Sequence, residues 1–339
     1  MSQVFAEKSK PLLSVSGNVS REGSQLVVEN AEARIVFDGD SAKLMSTLLP
    51  RLDGCRTLAD LSAETGHDVA TMCAHLAQLE QDSLIVDWAA HEVVGDIEGY
   101  VRAVRSFSRF YNQQIFSNSP AKKIFSGQST SPAVIGWGLE FYFFVRAANE
   151  YMPRAIQALT GDIRIIEPIV QHYVEEALHE AIFAKGLATC GFDKPTLARR
   201  LPLASTLALT NHLFETACRG VAPYCALFAV MQPGQAPASK EQIAARYDQL
   251  RSYYPAAAGI FEAFEEHDGI DAGLEHSELL LEKVARVRGM PSPAEILDTM
   301  VVIQRTAFFF MLFYKGIDSY YRDEACLRRM RRANAGAVI

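Results

Sequence analysis

The chain lacks the long hydrophobic runs that membrane and secreted proteins carry. Its most apolar stretch, Thr306–Tyr314, lies between two basic residues and is much shorter than the roughly 20 residues needed to span a bilayer. The segment Met1–Leu13 contains charges and a proline, and it has no apolar core of the signal-peptide type. We therefore expect a soluble, cytoplasmic protein that does not act at a membrane, with the 306–314 stretch buried in a helix.

Paired cysteine motifs and a basic excess are also absent. The six cysteines are scattered without a C-x-x-C pair, which indicates reduced thiols and excludes a zinc knuckle or a disulfide framework. The formal net charge of -7 argues against a partner that is a nucleic acid, because such binding requires a basic face.

The 339 residues are enough for two domains, and their composition predicts a small domain over 1–95 and a large one over 96–339. In the first, two short β-type runs, 26–28 and 33–37, predict a hairpin. Thr57 with Asp60 forms a capping box, and Asp68 can cap the next helix. A last strand is predicted over 83–87. This order of elements is typical of a winged-helix module.

The phrase LDGCRTLADLSAETGHDVATMCAHLAQLEQDSLIVD resembles the PqqD-like domain that recognises leader peptides in ribosomal peptide modification. The resemblance covers about residues 12–90. It implies that a peptide substrate or leader peptide binds by adding a strand to the β-edge of this domain. Two alternatives remain open, namely a winged helix that only packs on its neighbour and one that binds DNA; the lack of a basic recognition helix speaks against DNA.

The large domain has almost no strand signal. Prolines separate apolar-periodic segments, which predict about seven helices in one all-α domain. The predicted helices cover 98–117, 131–158, 162–190, 203–230, 240–266, 267–288 and 293–325.

Three of these helices carry acidic and imidazole side chains on faces that would otherwise pack apolar residues. Such groups are costly to bury singly, and a shared cation makes their burial tolerable. His172, Glu176 and His179 fall on one helical stripe, and His267 and Asp271 share a face at i, i+4. Glu140 lies among aromatic residues. Mixed carboxylate and imidazole ligation suits iron or manganese, although each segment alone is also compatible with a solvated face.

The order of Glu140, Glu176-x-x-His179 and His267-x-x-x-Asp271 resembles that of the haem-oxygenase-like di-iron oxidases and oxygenases, over about residues 105–325. This resemblance implies a mainly α protein, a seven-helix haem-oxygenase-like bundle preceded by the small α+β winged-helix domain. It also implies two iron ions (or manganese with iron) and O2 as co-substrate. The family's closing histidine would fall at Leu274, so His276 or Glu275 must replace it. The implied metal ligands are Glu140, Glu176, His179, His267, Asp271 and His276.

The function expected from both resemblances is the O2-dependent oxidation of an amino-acid residue in a peptide or carrier-bound substrate, as in ribosomal peptide biosynthesis. Two alternatives stay open: a metal-free oxidase similar to pyrroloquinoline quinone synthase, which matures a cofactor, and a peptide-binding partner protein without catalysis. The apolar 306–314 stretch is also compatible with a homodimer.

Overall fold

The computed structural model is mainly helical, with five short strands near its amino terminus. This agrees with the predicted fold class of a mainly α protein preceded by a small α+β part. The structure describes residues 5–14, 18–29, 34–92, 94–117, 119–159, 161–177, 179–231, 239–273 and 279–332.

The strands among the described residues are β1 Pro11–Leu13, β2 Asn18–Glu22, β3 Gln25–Glu29, β4 Arg34–Phe37 and β5 Ile85–Asp87. They form two small antiparallel sheets. Strands β2, β3 and β4 pair in that order, and β1 pairs with β5. The predicted hairpin is confirmed by the pairing of β3 with β4, and the predicted last strand is confirmed as β5, whereas β1 and β2 were not predicted.

Three helices pack on the strands around a core of their own. They are α1 (Gly39–Leu48), α2 (Leu58–Thr65) and α3 (Val69–Gln81). The two predicted helix starts are confirmed. The hydroxyl of Thr57 accepts from the backbone N–H of Asp60 while the Asp60 carboxylate accepts from that of Thr57, and Asp68 caps α3.

The rest of the chain forms a larger helical core, which also includes Val86 and Ala90 from the end of the amino-terminal region. The helices in order are α4 Ile97–Ser117, α5 Ser119–Phe125, α6 Ser131–Ala158, α7 Ile163–Glu176, α8 Glu180–Thr189, α9 Lys194–Ala198, α10 Ala204–Ala217, α11 Val221–Met231, α12 Lys240–Tyr253, α13 Ala258–Gly273, α14 Leu280–Arg288, α15 Pro293–Tyr320 and α16 Glu324–Arg332.

The described helices are shorter and more numerous than the seven predicted segments. The segment predicted as 162–190 is divided at Ala177, whose backbone is extended, and the one predicted as 203–230 is divided before Val221. Conversely, α13 continues through position 267, although the sequence predicts that one helix ends at 266 and the next begins at 267. Apolar periodicity continues across these breaks because both pieces face the same core, so the pattern alone does not reveal them.

Helix α15 lies inside the bundle, where it packs against α4, α10 and α11. It is long and apolar enough to cross a membrane by length and composition, but a core helix passes the same test. Within the predicted apolar run, Phe313 and Tyr314 are almost fully buried, whereas Phe308 and Leu312 are 48% and 45% exposed, so the run is buried along only one face of the helix. The packing of this helix is consistent with a soluble protein.

Candidate metal centre and cavity

The break between α7 and α8 places two of the predicted ligands close together. Glu176 is the last residue of α7, and His179 immediately precedes α8. Nδ1 of His179 lies 3.4 Å from Oε2 of Glu176. The two residues are therefore not on one continuous helix, as the sequence suggested, but meet where the end of one helix faces the start of the next.

Helix α13 brings the third predicted ligand to the same place, because it packs against α8. The imidazole rings of His179 and His267 lie edge to face with their centroids 4.7 Å apart. Nδ1 of His267 lies 3.4 Å from Oδ2 of Asp271 and 3.6 Å from Oδ1 of Asp268. Asp268 was not predicted to belong to the site, since it is adjacent to His267 in the sequence rather than one turn away.

Two groups of side chains in this region have the spacing of a metal site. The ligand atoms of Glu176, His179 and His267 all lie within 4.8 Å of one another, and those of His267, Asp268 and Asp271 meet the same criterion. Metal–ligand bonds of 2.0–2.2 Å place the donor atoms around one ion at most about 4.4 Å apart, so the side chains of either group have to move closer together to bind a cation. Nitrogen and carboxylate donors without thiolates fit iron or manganese.

The charges of the first group favour ion binding. Burial alone would raise the pKa of Glu176, but His179, His172 and His267 outweigh it and lower that pKa, so the carboxylate is ionised. Burial likewise opposes protonation of His267, yet Asp268, Asp271 and Glu176 raise its pKa above the usual value. The cluster therefore already attracts positive charge, which a protonated imidazole or a bound cation can supply.

A buried histidine, His172, contacts Glu176, and a buried tyrosine, Tyr224, contacts that histidine in turn. His172 is 4% exposed, and its Nε2 lies 3.6 Å from Oε1 of Glu176. Its other ring nitrogen, Nδ1, is 3.3 Å from the hydroxyl of Tyr224, and its ring packs edge to face on Phe228. Such an outer partner fixes the orientation of a ligating carboxylate.

Asp268 is held by groups that the sequence gave no reason to connect with the site. The hydroxyl of Tyr247 donates to Oδ2 of Asp268 over 2.7 Å, and the guanidinium of Arg246 forms an ion pair with the same carboxylate. Arg246 also lies over the ring of Tyr247, 4.8 Å from its centroid. These contacts join α12 to α13 and direct Asp268 partly away from the cluster.

A cavity of about 310 Å³ adjoins the cluster, and Glu176, His267 and Asp271 belong to its lining. Most of the remaining lining is aromatic or aliphatic, contributed by α4, α5, α6, α11, α13 and α15. Its size is within the range of small-molecule sites in proteins, and a few polar groups at one place in an apolar pocket are typical of such sites.

Glu140 is the predicted ligand that the structure places elsewhere. Its Oε2 accepts from the backbone N–H of Leu203 (3.0 Å) and the hydroxyl of Thr206 (2.6 Å), and its Oε1 accepts from the hydroxyl of Tyr321 (2.6 Å). Gly136, one turn earlier on α6, makes room for the Tyr321 ring, since a Cβ there would collide with it. Three neutral donors and the charge of the buried Arg200 account for the burial of this carboxyl group. The structure does not group Glu140 with the other predicted ligands, so we leave it out of the proposed ligand set.

The last predicted ligand, His276 with its alternative Glu275, lies outside the described residues. Of the six predicted ligands, the structure thus brings Glu176, His179, His267 and Asp271 into one cluster and separates Glu140 from it.

No protein-family model matches the chain, and no curated protein matches its sequence. Solved structures of similar fold cover about two thirds of the chain or more. A domain of unknown function with a heme oxygenase-like fold from Shewanella denitrificans is 18% identical, with a TM-score of 0.46, over 72% of this chain and 97% of that one. A TenA homolog from Pseudomonas syringae pv. tomato is 11% identical (TM-score 0.49; 65% and 93% covered), and a TenA homologue from P. horikoshii is 12% identical (0.46; 66% and 98%). These likenesses concern the fold alone.

Proposed function

We propose that this protein is a metal-dependent oxidoreductase in which Glu176, His179 and His267 hold an iron ion beside the apolar cavity. Asp271, with His267, is placed to help hold a second ion. The observation that carries the proposal is the convergence of the ligand atoms of Glu176, His179 and His267 within 4.8 Å, beside a largely apolar cavity whose lining includes Glu176 and His267. Bound iron would supply the electrons needed to activate O2.

The residues around the proposed metal site have different roles. Glu176, His179 and His267 bind and orient the metal, and His172 with Tyr224 fixes the rotation of the Glu176 carboxylate. The aromatic walls exclude water from the reacting group, which strengthens electrostatic interactions inside the cavity. The ion pair of Arg246 with Asp268 offsets one carboxylate charge at the edge of the site.

The direct test is an anaerobic titration of metal-free protein with Fe(II), followed by exposure to O2. We expect saturable binding of one or two equivalents and a transient visible absorption band after O2 is admitted. Glu140→Gln serves as a control, because its carboxyl group lies outside the cluster. Absence of iron binding above background would contradict the proposal.

For the substrate we propose a peptide or a carrier-bound amino acid that the amino-terminal domain recognises. The resemblance of residues 12–90 to PqqD-like domains supports this, and β2 and β4 are the outer strands of the described three-stranded sheet. Main-chain pairing with an outer strand would hold an extended peptide. Mass spectrometry of peptide bound to full-length protein, followed by hydrogen exchange with that peptide, tests it. Protection should rise in β2 or β4; protection confined to the bundle would contradict it.

A metal-free oxidase is the second candidate, and one observation favours it. The carboxylates and imidazoles of the cluster lie in pairs at 3.4–3.6 Å, so each carboxylate has a polar partner without a bound cation. Full oxidase activity of protein stripped of metal, unaffected by a chelator, would select this candidate over the first.

A further inference from the structure

We infer that the cavity receives an uncharged, apolar group of the substrate, aliphatic or aromatic, and that Phe116 and Phe125 lie where this group enters. The inference deepens the proposed function and rests on it only in treating the cavity as the place of reaction. Three features carry it: the composition of the walls, the distribution of charge and the two exposed aromatic rings.

Stacked aromatic rings form the walls. The rings of Trp137 and Phe264 lie parallel with their centroids 4.1 Å apart, and Phe141 packs against Phe264 at 4.7 Å. On another side Phe144 meets Phe310 edge to face at 5.3 Å. Such surfaces gain free energy by covering apolar groups and provide no hydrogen bonds along most of their area.

Charge in the described part of the lining is confined to one place. Glu176, His267, Asp268 and Asp271 are there, and the single cationic side chain with a permanent charge is Arg246, which is engaged with Asp268. A substrate carboxylate among the aromatic walls would thus find no free basic partner. An ammonium group would find carboxylates only at the cluster, where imidazoles and Arg246 already lie beside them, and would otherwise need to leave water for the aromatic walls. Burying an unpaired charge in this way is costly.

Phe116 and Phe125 connect the buried walls to solvent. They are 39% and 36% exposed, and their rings meet edge to face at 6.0 Å. Phe125 also packs on Trp137 at 5.8 Å, and Phe116 on Tyr314 at 6.4 Å. The aromatic surface therefore continues without interruption from solvent into the cavity, so an apolar group can leave water gradually along it.

Fluorescence of Trp137 can test this in full-length, metal-free protein. The chain has two tryptophans, and Trp88→Phe leaves Trp137 in the cavity wall as the reporter. The probes are benzyl alcohol, benzoate and benzylammonium, which share a ring and differ in charge. We expect benzyl alcohol to bind at least about tenfold more tightly than either ion. Equal or tighter binding of an ion, or binding of none of the three, would overturn the inference.

Two pairs of measurements locate the binding. Ala148→Phe adds a ring inside the cavity and should abolish the signal, whereas Ala208→Phe, in a surface groove of α10, should leave it unchanged. Phe116→Lys should raise the affinity for benzoate about fivefold relative to benzylammonium, because it places a cation at the entrance. An unchanged ratio would remove Phe116 from the entrance. If Ala148→Phe does not fold, the order of the three probes on the parent protein still decides.

The outcome is separable from that of the proposed function. The titrations contain no metal, so the probe order does not depend on whether Glu176, His179 and His267 bind iron. If iron does not bind, the predicted order of affinities for the three probes is unaffected. If the cavity binds benzoate or benzylammonium more tightly than benzyl alcohol, the prediction of iron binding is unaffected.

Discussion

Two carboxyl groups of this protein, one buried and one partly buried, differ in what surrounds them. Glu140, in the middle of α6, is fully buried and accepts hydrogen bonds from two hydroxyl groups and one backbone amide. Glu176, at the end of α7, faces the imidazoles of His172, His179 and His267. Burial dominates at Glu140 and raises its pKa, whereas the imidazoles lower that of Glu176.

The comparison shows that burial of an acidic side chain does not by itself indicate a metal ligand. At Glu140, hydroxyl and amide donors satisfy the carboxyl group and the charge of Arg200 lies nearby, so such a site does not need a metal ion. Several carboxylates and imidazoles that face one another beside a pocket are a different case, because the net charge of the group depends on the protons or metal ions bound between them. The predictions below separate these two cases, beginning with the largest expected effect.

Replacement of Glu176 should have the largest effect, and it should be on metal binding. In Glu176→Ala the affinity for Fe(II) should fall by at least about a hundredfold, because outer partners of ligands alone account for 10–100-fold. Competition with a chelator under anaerobic conditions measures it. The matched control is Glu175→Ala, the neighbouring residue, whose carboxylate accepts from Gln171. Equal losses in the two variants would contradict the assignment.

Replacement of Glu140 should affect folding instead. Glu140→Ala leaves three buried donors without an acceptor, so the free energy of unfolding should fall by about 2 kcal/mol. Tyr321→Phe removes one of these hydrogen bonds and should cost about 1 kcal/mol. Denaturant titration measures both changes, and both variants should keep the iron affinity of the parent. A drop in iron affinity would return Glu140 to the ligand set.

The outer support of Glu176 should matter less than the ligand itself. His172→Gln should weaken Fe(II) binding about tenfold, since the carboxylate loses the partner that fixes its rotation. Tyr224→Phe, which removes only the hydroxyl near Nδ1 of His172, should have a smaller effect in the same direction. If neither variant changes the affinity, His172 is only a packing residue.

The last prediction concerns pH. Because burial raises the pKa of Glu140 in the folded protein above 4.5, the folded state holds its proton over a range where the unfolded chain has lost it. The stability of the parent relative to Glu140→Gln should therefore be greatest below pH 4.5 and should fall by up to about 1.4 kcal/mol per pH unit above it, until the folded-state pKa is passed. A relative stability that rises with pH would show that the hydrogen bonds dominate over burial.

Local patterns in the sequence predicted much of the fold and part of the site. The capping residues Thr57 and Asp68 and the hairpin of β3 and β4 depend on neighbours within a few residues, and they were predicted correctly. The pairing of His267 with Asp271 could also be predicted from the sequence, since both residues share one helical face.

The remainder depends on contacts between distant segments. Tyr321 lies 181 residues from Glu140, and no local pattern connects them. The close approach of Arg246 and Tyr247 to Asp268 depends on how α12 packs against α13. The helix break at Ala177 is hidden because apolar periodicity continues on both sides of it.

Anomalous X-ray scattering from crystals soaked anaerobically in Fe(II) tests the central claim most directly. The account predicts a peak among Glu176, His179 and His267, at bonding distance from all three, and none beside Glu140. A peak next to Glu140, or crystals with no peak at the three ligands, would contradict it.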